Sequence, residues 1–144
     1  MHQASGLAQL PGFHPEGGNM LYFGFGIAPS MFPTNCIIKR SRIGITRGVR
    51  LIKAMDHLGK LVSCLNPSHR ATIAIMRERF GIGVEIPVTA PKVTLGTGDM
   101  ILVMGVSGLP RLEGRHEYTR KEAEGAKFMF SLFTVNPVAK VVYA

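Results

Sequence analysis

Residues 66–81, NPSHRATIAIMRERFG, carry the clearest helix signals in the sequence. Asn66 precedes Pro67, so a side chain suited to helix capping stands directly before a residue suited to the first helical turn. The apolar side chains of this stretch mark one buried face (Ala71, Ile75 and Met76), and Gly81 is typical of a helix C-terminus. The spacing predicts a helix from Pro67 to Phe80.

Strand-like segments and two further helices flank this helix. Thr46 is a candidate cap for a helix whose apolar residues recur every three positions (Val49, Ile52, Met55 and Leu58), and Thr119-x-x-Glu122 is a capping box for a short third helix. The strongest strand pattern is FMFSLFTV at Phe128–Val135. The other predicted strands are Met20–Ile27, Cys36–Lys39, Lys60–Leu65, Val84–Thr89, Lys92–Leu95 and Met100–Val106, with the turn Gly-Thr-Gly-Asp at 96–99 before the last.

Strands interleaved with helices predict an α+β fold with a mixed, mainly antiparallel sheet. Two longer helices and one short helix are expected to cover this sheet. Residues 1–19 are rich in Gly and Pro and are interpreted as an N-terminal extension, residues 20–135 as the single domain, and residues 136–144 as a C-terminal tail.

The charge balance favours an anionic partner. The 144 residues hold 17 Lys and Arg against 9 Asp and Glu, a net charge of +8. Such a field attracts nucleic acids and nucleotides, although excess charge also serves solubility alone. The apolar runs are too short to span a bilayer, the start does not resemble a secretory signal, and the two cysteines are interpreted as reduced thiols. We therefore expect no membrane association and a location in the cytoplasm.

His69 is the residue best placed for chemistry. It falls in the first turn of the predicted helix, where free backbone N–H groups and the helix dipole favour phosphate. With Ser68 and Arg70 beside it, His69 could protonate the leaving oxygen of a phosphodiester. An exposed histidine with no role is the more common explanation of such a position. The other histidines lack metal-type spacing, and 96–99 lacks the Lys-Ser/Thr of a P-loop, so no metal or cofactor is predicted.

The order of the motifs resembles the viral ring-nuclease anti-CRISPR family, small α+β dimers. The start Met20-Leu-Tyr-Phe, the segment Ser68-His69-Arg70-Ala71-Thr72, Gly98-Asp99 with the strand after it, the loop 109–114 and the aromatic final strand are similar to that family's parts. The resemblance implies a homodimer that binds cyclic tetra-adenylate across its two-fold axis and cleaves it without a metal. In type III CRISPR immunity, destroying this messenger silences the ancillary nucleases.

The resemblance also implies roles for individual residues. His69 is expected to be the general acid, and Glu113 to assist at the ligand. The remaining expected ligand-binding residues are Gly26, Ile27, Asn66, Ser68, Arg70, Thr72 and Arg111.

Other features of the sequence favour a protein that does not cleave. Phe25 and Ala28 stand where the family tends to have polar residues, and Ala90 stands in place of an expected arginine. The alternative hypothesis is a non-enzymatic basic subunit on the same scaffold. It would sequester the messenger, or belong to a virion or another nucleoprotein assembly that binds a different anionic nucleic acid.

Overall fold

The computed structural model describes residues 19–138. Five strands form one sheet: β1 (Leu21–Gly24), β2 (Cys36–Ile43), β3 (Leu61–Ser63), β4 (Met100–Ser107) and β5 (Lys127–Pro137). The helices are α1 (Ile45–His57), α2 (Arg70–Phe80) and α3 (Arg120–Glu124), with 3-10 turns at Pro29–Met31 and Pro67–His69. The strand order is β2-β5-β4-β1-β3. β1 runs parallel to both β3 and β4, whereas β5 is antiparallel to β4 and β2.

Both long helices pack on the same face of the sheet. Leu51, Ile52 and Met55 of α1 and Ile73 and Met76 of α2 join the buried sheet residues in the main core. A smaller cluster lies on the opposite face, where Ile101 and Val135 meet Val93 and Leu95 and two side chains of the loop after β1, Met31 and Phe32. Burial of these apolar side chains is the main force that holds the layers together.

The predicted fold class is confirmed. The sheet is mixed, two helices are long and one is short, and the Thr119–Glu122 capping box is formed in both directions. The predicted helix 67–80 is present as a 3-10 turn followed by α2, and its left-handed C-cap is Gly81 with φ 65°.

Two predicted strands are wrong. Val84–Thr89 and Lys92–Leu95 form no strand, and the chain from Gly81 to Asp99 is irregular. Pro87 and Pro91 lack the backbone N–H group that a strand donates to its neighbour. The alternating apolar side chains of this segment instead pack individually into the two hydrophobic clusters. The first long helix also begins two residues earlier than predicted, because Gly44 and not Thr46 is its N-cap. Leu58, predicted to be buried, follows that helix and is 44% exposed.

The turn at 96–99 fixes the start of β1. The Asp99 carboxylate accepts hydrogen bonds from the backbone N–H groups of Met20 (2.9 Å) and Gly96 (2.8 Å). Gly98 has φ 91°, and a side chain there would overlap that of Asn19. Gly98 therefore serves the fold, and Asn19 packs with the domain.

Part of the expected domain division lies outside the described residues. The N-terminal extension, apart from Asn19, and the part of the tail after Val138 lie outside residues 19–138. Asn136 and Pro137, assigned to the tail, are the last residues of β5.

Candidate functional site

A crevice is expected where the chain leaves β1 and β3. These neighbouring strands are parallel, so their carboxyl ends meet at the same edge of the sheet. After β1 the chain crosses to the face of the sheet that Met31 and Phe32 cover, whereas after β3 it enters α2 on the other face. In sheets of this kind, ligands bind outside the carboxyl ends of strands whose connections diverge in this way.

Gly24 lets the two strand ends approach each other closely. A Cβ atom at Gly24 would lie 3.2 Å from both the Cβ and the carbonyl oxygen of Cys64, tighter than most such contacts. The pairing continues past β3, since the Cys64 N–H donates to the Phe23 carbonyl at 2.8 Å. Burial raises the pKa of the Cys64 thiol above its ordinary value, so this thiol remains protonated at neutral pH. The absence of a side chain at Gly24 therefore serves a backbone contact within the chain.

Phe25 and His69 meet beyond the carboxyl ends of β1 and β3. Their ring centroids are 5.1 Å apart and the rings are tilted by 52°. Phe25 is half-buried and His69 is exposed, so the phenyl ring supports one side of an imidazole whose remaining surface faces solvent. The contact joins the loop after β1 to the turn after β3, and it gives His69 a fixed neighbour.

The turn before α2 has the capping expected from its sequence. The Asn66 side chain accepts a hydrogen bond from the Ser68 N–H at 2.9 Å, and the His69 N–H donates to the Asn66 carbonyl at 2.9 Å. Asn66, Ser68, His69 and Arg70 are all exposed, and Thr72 is half-buried. Four of the predicted site residues thus lie together on one accessible turn, as their sequence spacing requires.

A groove runs along α2 from its first residue. It has a volume of about 580 Å³ and is lined by Arg70, Ala71, Ala74, Arg115, His116 and Glu117. A second groove of about 740 Å³ continues between α2 and α3. The Arg79 guanidinium, which donates to the Ala123 carbonyl at 2.7 Å, ties the two helices together. His116 and Glu117 beside Arg70 were not predicted, because only folding brings their loop to α2.

The loop facing α2 is held by a two-pronged ion pair. Arg115 donates to both carboxylate oxygens of Glu122, at 2.8 and 2.9 Å. This hydrogen bonding, with the N–H of Thr119, lowers the pKa of Glu122 to about 2. The pair fixes the residue next to His116 and so helps to shape the wall of the groove.

The remaining predicted site residues are more scattered. Gly26 is exposed and Ile27 is 43% exposed, and both directly follow Phe25 in the loop after β1. Arg111 and Glu113 are exposed, and neither lines the two grooves along α2. The structure therefore brings Phe25 to His69 but gives no contact between Glu113 and His69.

Residues 19–138 contain neither a metal-binding cluster nor a membrane-spanning helix. In this range no three histidine, cysteine, aspartate or glutamate side chains cluster in a way that could hold a metal ion. None of the helices in the same range combines the length and apolar character needed to cross a membrane.

Comparison with known proteins gives a likeness of fold. No family model matches the chain, and comparison with curated proteins gives no significant match. Among solved structures it is similar to B116 of Sulfolobus turreted icosahedral virus (STIV), with a TM-score of 0.61 and 14% identity over 79% of this chain and 98% of that chain. The chain thus has the α+β fold of this viral protein. Identity at this level bears on the fold alone.

Proposed function

We propose that the chain binds a cyclic oligoadenylate at the carboxyl ends of β1 and β3 and cleaves it without a metal. The observation that carries this proposal is the contact of Phe25 with His69 at 5.1 Å. It holds an exposed imidazole beside the crevice where divergent parallel strands bind ligands. The fold shared with a viral protein and the net charge of +8 support the same function.

The proposed reaction is an internal transesterification. The ribose 2′-hydroxyl attacks the adjacent phosphorus, and its proton leaves to a base. The bond between phosphorus and the 5′-oxygen then breaks, and the His69 imidazolium donates its proton to that oxygen. The products are a 2′,3′-cyclic phosphate and a free 5′-hydroxyl. No oxidant, reductant or metal is needed for this balance.

The turn before α2 supplies the proposed phosphate contacts. The N–H groups of Ser68 and His69 are already bonded to Asn66, so the exposed guanidinium of Arg70 is the donor proposed for phosphate there. Charge-assisted hydrogen bonds to phosphate are among the stronger polar contacts. Asn66 before this turn, Thr72 in α2, and Gly26 and Ile27 in the loop after β1 are the further residues proposed to contact the ligand. Glu113 and Arg111 are proposed to reach the ligand only if their exposed loop moves towards it.

A homodimer is part of the proposal. A cyclic tetra-adenylate repeats itself on rotation, so two copies of the chain related by a two-fold axis would bind it symmetrically. Leu21 and Phe23 of β1 are completely buried within the chain, and Gly24 packs on Cys64. The apolar surface available near β1 is therefore the loop that carries Ile27. We propose a viral setting, in which removal of the messenger counters type III CRISPR immunity.

The second candidate is a binder or assembly subunit without catalysis. It is favoured by the position of Glu113, which lies outside both grooves along α2. It is also favoured by the half-exposed apolar side chains on β2 and β5, Ile37, Ile38 and Met129. In this function the site would hold the messenger, or another anionic nucleic acid in a virion or nucleoprotein, and leave it intact.

One experiment separates the two candidates. Purified protein is incubated with labelled cyclic tetra-adenylate in EDTA, and bound ligand and linear products are measured in the same samples. The enzyme hypothesis predicts products with a 2′,3′-cyclic phosphate. Binding with no product between pH 5 and pH 8 would support the sequestering protein. Neither binding nor product would contradict both messenger-based hypotheses and leave the assembly subunit.

A further inference from the structure

The outer edge of β2 is free in the part of the chain that the structure describes. β2 stands at one end of the strand order and pairs residue for residue with β5 alone. All six residues from Ile37 to Arg42 are exposed, so neither face of this part of the strand is covered. A free edge presents a row of unpaired backbone N–H and C=O groups that can accept another strand.

Cations without acidic neighbours in sequence characterise β2 and most of the helix that follows it. Residues 36–55, which contain β2 and most of α1, hold six Lys and Arg and no Asp or Glu, in a chain whose net charge is +8. β5, the neighbour of β2, adds Lys127 and also holds no acidic residue. β2 therefore carries three cations (Lys39, Arg40 and Arg42), with no acidic residue in the strand itself or in its neighbour β5.

Cations flank the edge on both faces of the sheet. Lys39 pairs with Thr134, Arg40 with Phe133 and Arg42 with Ser131. Because side chains alternate along a strand, Arg40 and Arg42 share one face and Lys39 lies on the other. Towards the start of β2, Ile37 and Ile38 are 49% and 44% exposed, again one on each face. An added strand would thus meet apolar side chains at one end and cations at the other.

This pattern discriminates between partners. Antiparallel pairing of two β2 edges in full register would place Lys39 of each strand opposite Arg40 of the other, and like charges directly opposite each other are destabilising. A nucleic acid would satisfy the cations but not the backbone groups or the isoleucines. The chain's own residues 1–18 and 139–144 are a further candidate for the added strand. Together they hold a single acidic residue, Glu16, so their charge does not complement the cations of β2.

We propose that the free edge of β2 binds an acidic, extended segment of a partner protein, which adds to the sheet as a sixth strand. Backbone hydrogen bonds would supply much of the affinity. Asp or Glu side chains opposite Lys39, Arg40 and Arg42, and apolar side chains opposite Ile37 and Ile38, would set the register. This surface is independent of His69 and of the proposed cleavage.

A synthetic peptide tests the proposal. The probe is a fluorescent peptide of 8 residues, the length of β2, mixed with the full chain. It has Val at the positions opposite Ile37 and Ile38 and Glu at those opposite Lys39, Arg40 and Arg42. We expect it to bind and to slow amide hydrogen exchange in residues 36–43. The same peptide with alternate backbone nitrogens methylated keeps its charge but lacks strand donors, so it should not slow that exchange. The Lys-Val counterpart should not bind.

Variants locate the site. The double variant Arg40→Glu with Arg42→Glu should weaken binding of the Glu-Val peptide about tenfold, the size expected for losing exposed charge pairs. Lys121→Glu changes one exposed cation on α3 and should leave binding unchanged. Circular dichroism melting would verify that each variant is folded.

Other outcomes overturn the proposal. No binding of the Glu-Val peptide, or equal exchange protection by its methylated form, would refute strand addition. Binding of single-stranded oligo(dT) at residues 36–43 without binding of the peptide would identify a nucleic-acid surface instead. A change of oligomeric state in the double variant alone would show that the edge joins two copies of the chain.

Discussion

Phe25 lies against His69, with ring centroids 5.1 Å apart and an angle of 52° between the rings. The two residues follow different strands, β1 and β3, whose close pairing is permitted by the absence of a side chain at Gly24. The contact therefore depends on the tertiary fold and not on local helix capping. It ties the orientation of an exposed histidine to the loop after the first strand.

The variant Phe25→Ala should lower the rate of messenger cleavage by about tenfold to a hundredfold while changing the Kd for cyclic tetra-adenylate much less. The phenyl ring positions the imidazole, and small misplacements of a catalytic group are costly. Single-turnover rates and equilibrium binding would be measured on the same preparation. Phe25→Tyr keeps the ring and should restore most of the rate. Equal loss in both variants would argue against a positioning role.

Arg70→Ala should weaken messenger binding and make it less sensitive to salt. Arg70 is exposed at the start of α2, where its guanidinium is free to approach phosphate. Removing one phosphate contact should reduce the slope of log K against log salt by about 0.7 to 1. Titrations at several salt concentrations measure this slope. Lys121→Ala is the matched control, and an unchanged slope for Arg70→Ala would place the ligand elsewhere.

Gly48→Ala should destabilise the fold although alanine is the better helix former. Gly48 is buried in α1, and a Cβ atom there would overlap the ring of Phe130, which is completely buried. Overpacking of this kind costs about 1–3 kcal/mol, more than the gain in helix propensity of about 1 kcal/mol. Urea unfolding measures the difference. Gly83→Ala, where the added Cβ meets nothing within 4 Å, should be nearly neutral.

Glu122 should make the loop beside α2 sensitive to acid. Its folded pKa of about 2 lies below the ordinary 4.5, because Arg115 and the Thr119 N–H bind the ionised carboxylate. The folded state therefore gains stability from this group at neutral pH, and loses it as the pH falls through 4.5 towards 2. Thermal unfolding between pH 2 and 7 should show a shallower acid dependence in Glu122→Gln than in the wild type. The same dependence in both would contradict the assignment; Glu124→Gln is the exposed control.

The sequence predicts the elements of this fold better than it predicts the site. Asn66-Pro67, Gly81 and the Thr119–Glu122 capping box are local signals, and each marks a helix end in the structure. The contact of Phe25 with His69 joins residues 44 positions apart, and no local pattern encodes it. Phe25 even counted against a polar site, yet it is the residue that supports His69.

The irregular segment before β4 shows a second limit. Alternating apolar residues such as Val93 and Leu95 satisfy a strand pattern, but here they fill the small core on the sheet face away from the helices. Periodicity records burial and does not reveal whether a neighbouring strand is present. The Arg115–Glu122 ion pair could not be predicted either, because Arg115 belongs to a charged loop whose sequence is typical of a solvated turn.

The most direct test is the single-turnover rate of cyclic tetra-adenylate cleavage in EDTA for the wild type and His69→Ala, with ligand binding measured in parallel. General-acid catalysis is worth about a hundred- to ten-thousand-fold in rate, so His69→Ala should lose activity on that order while its Kd stays nearly the same. His116→Ala, which changes another exposed histidine, should cleave at a rate close to that of the wild type. Cleavage that persists unchanged in His69→Ala, or its absence in the wild type, would contradict the account.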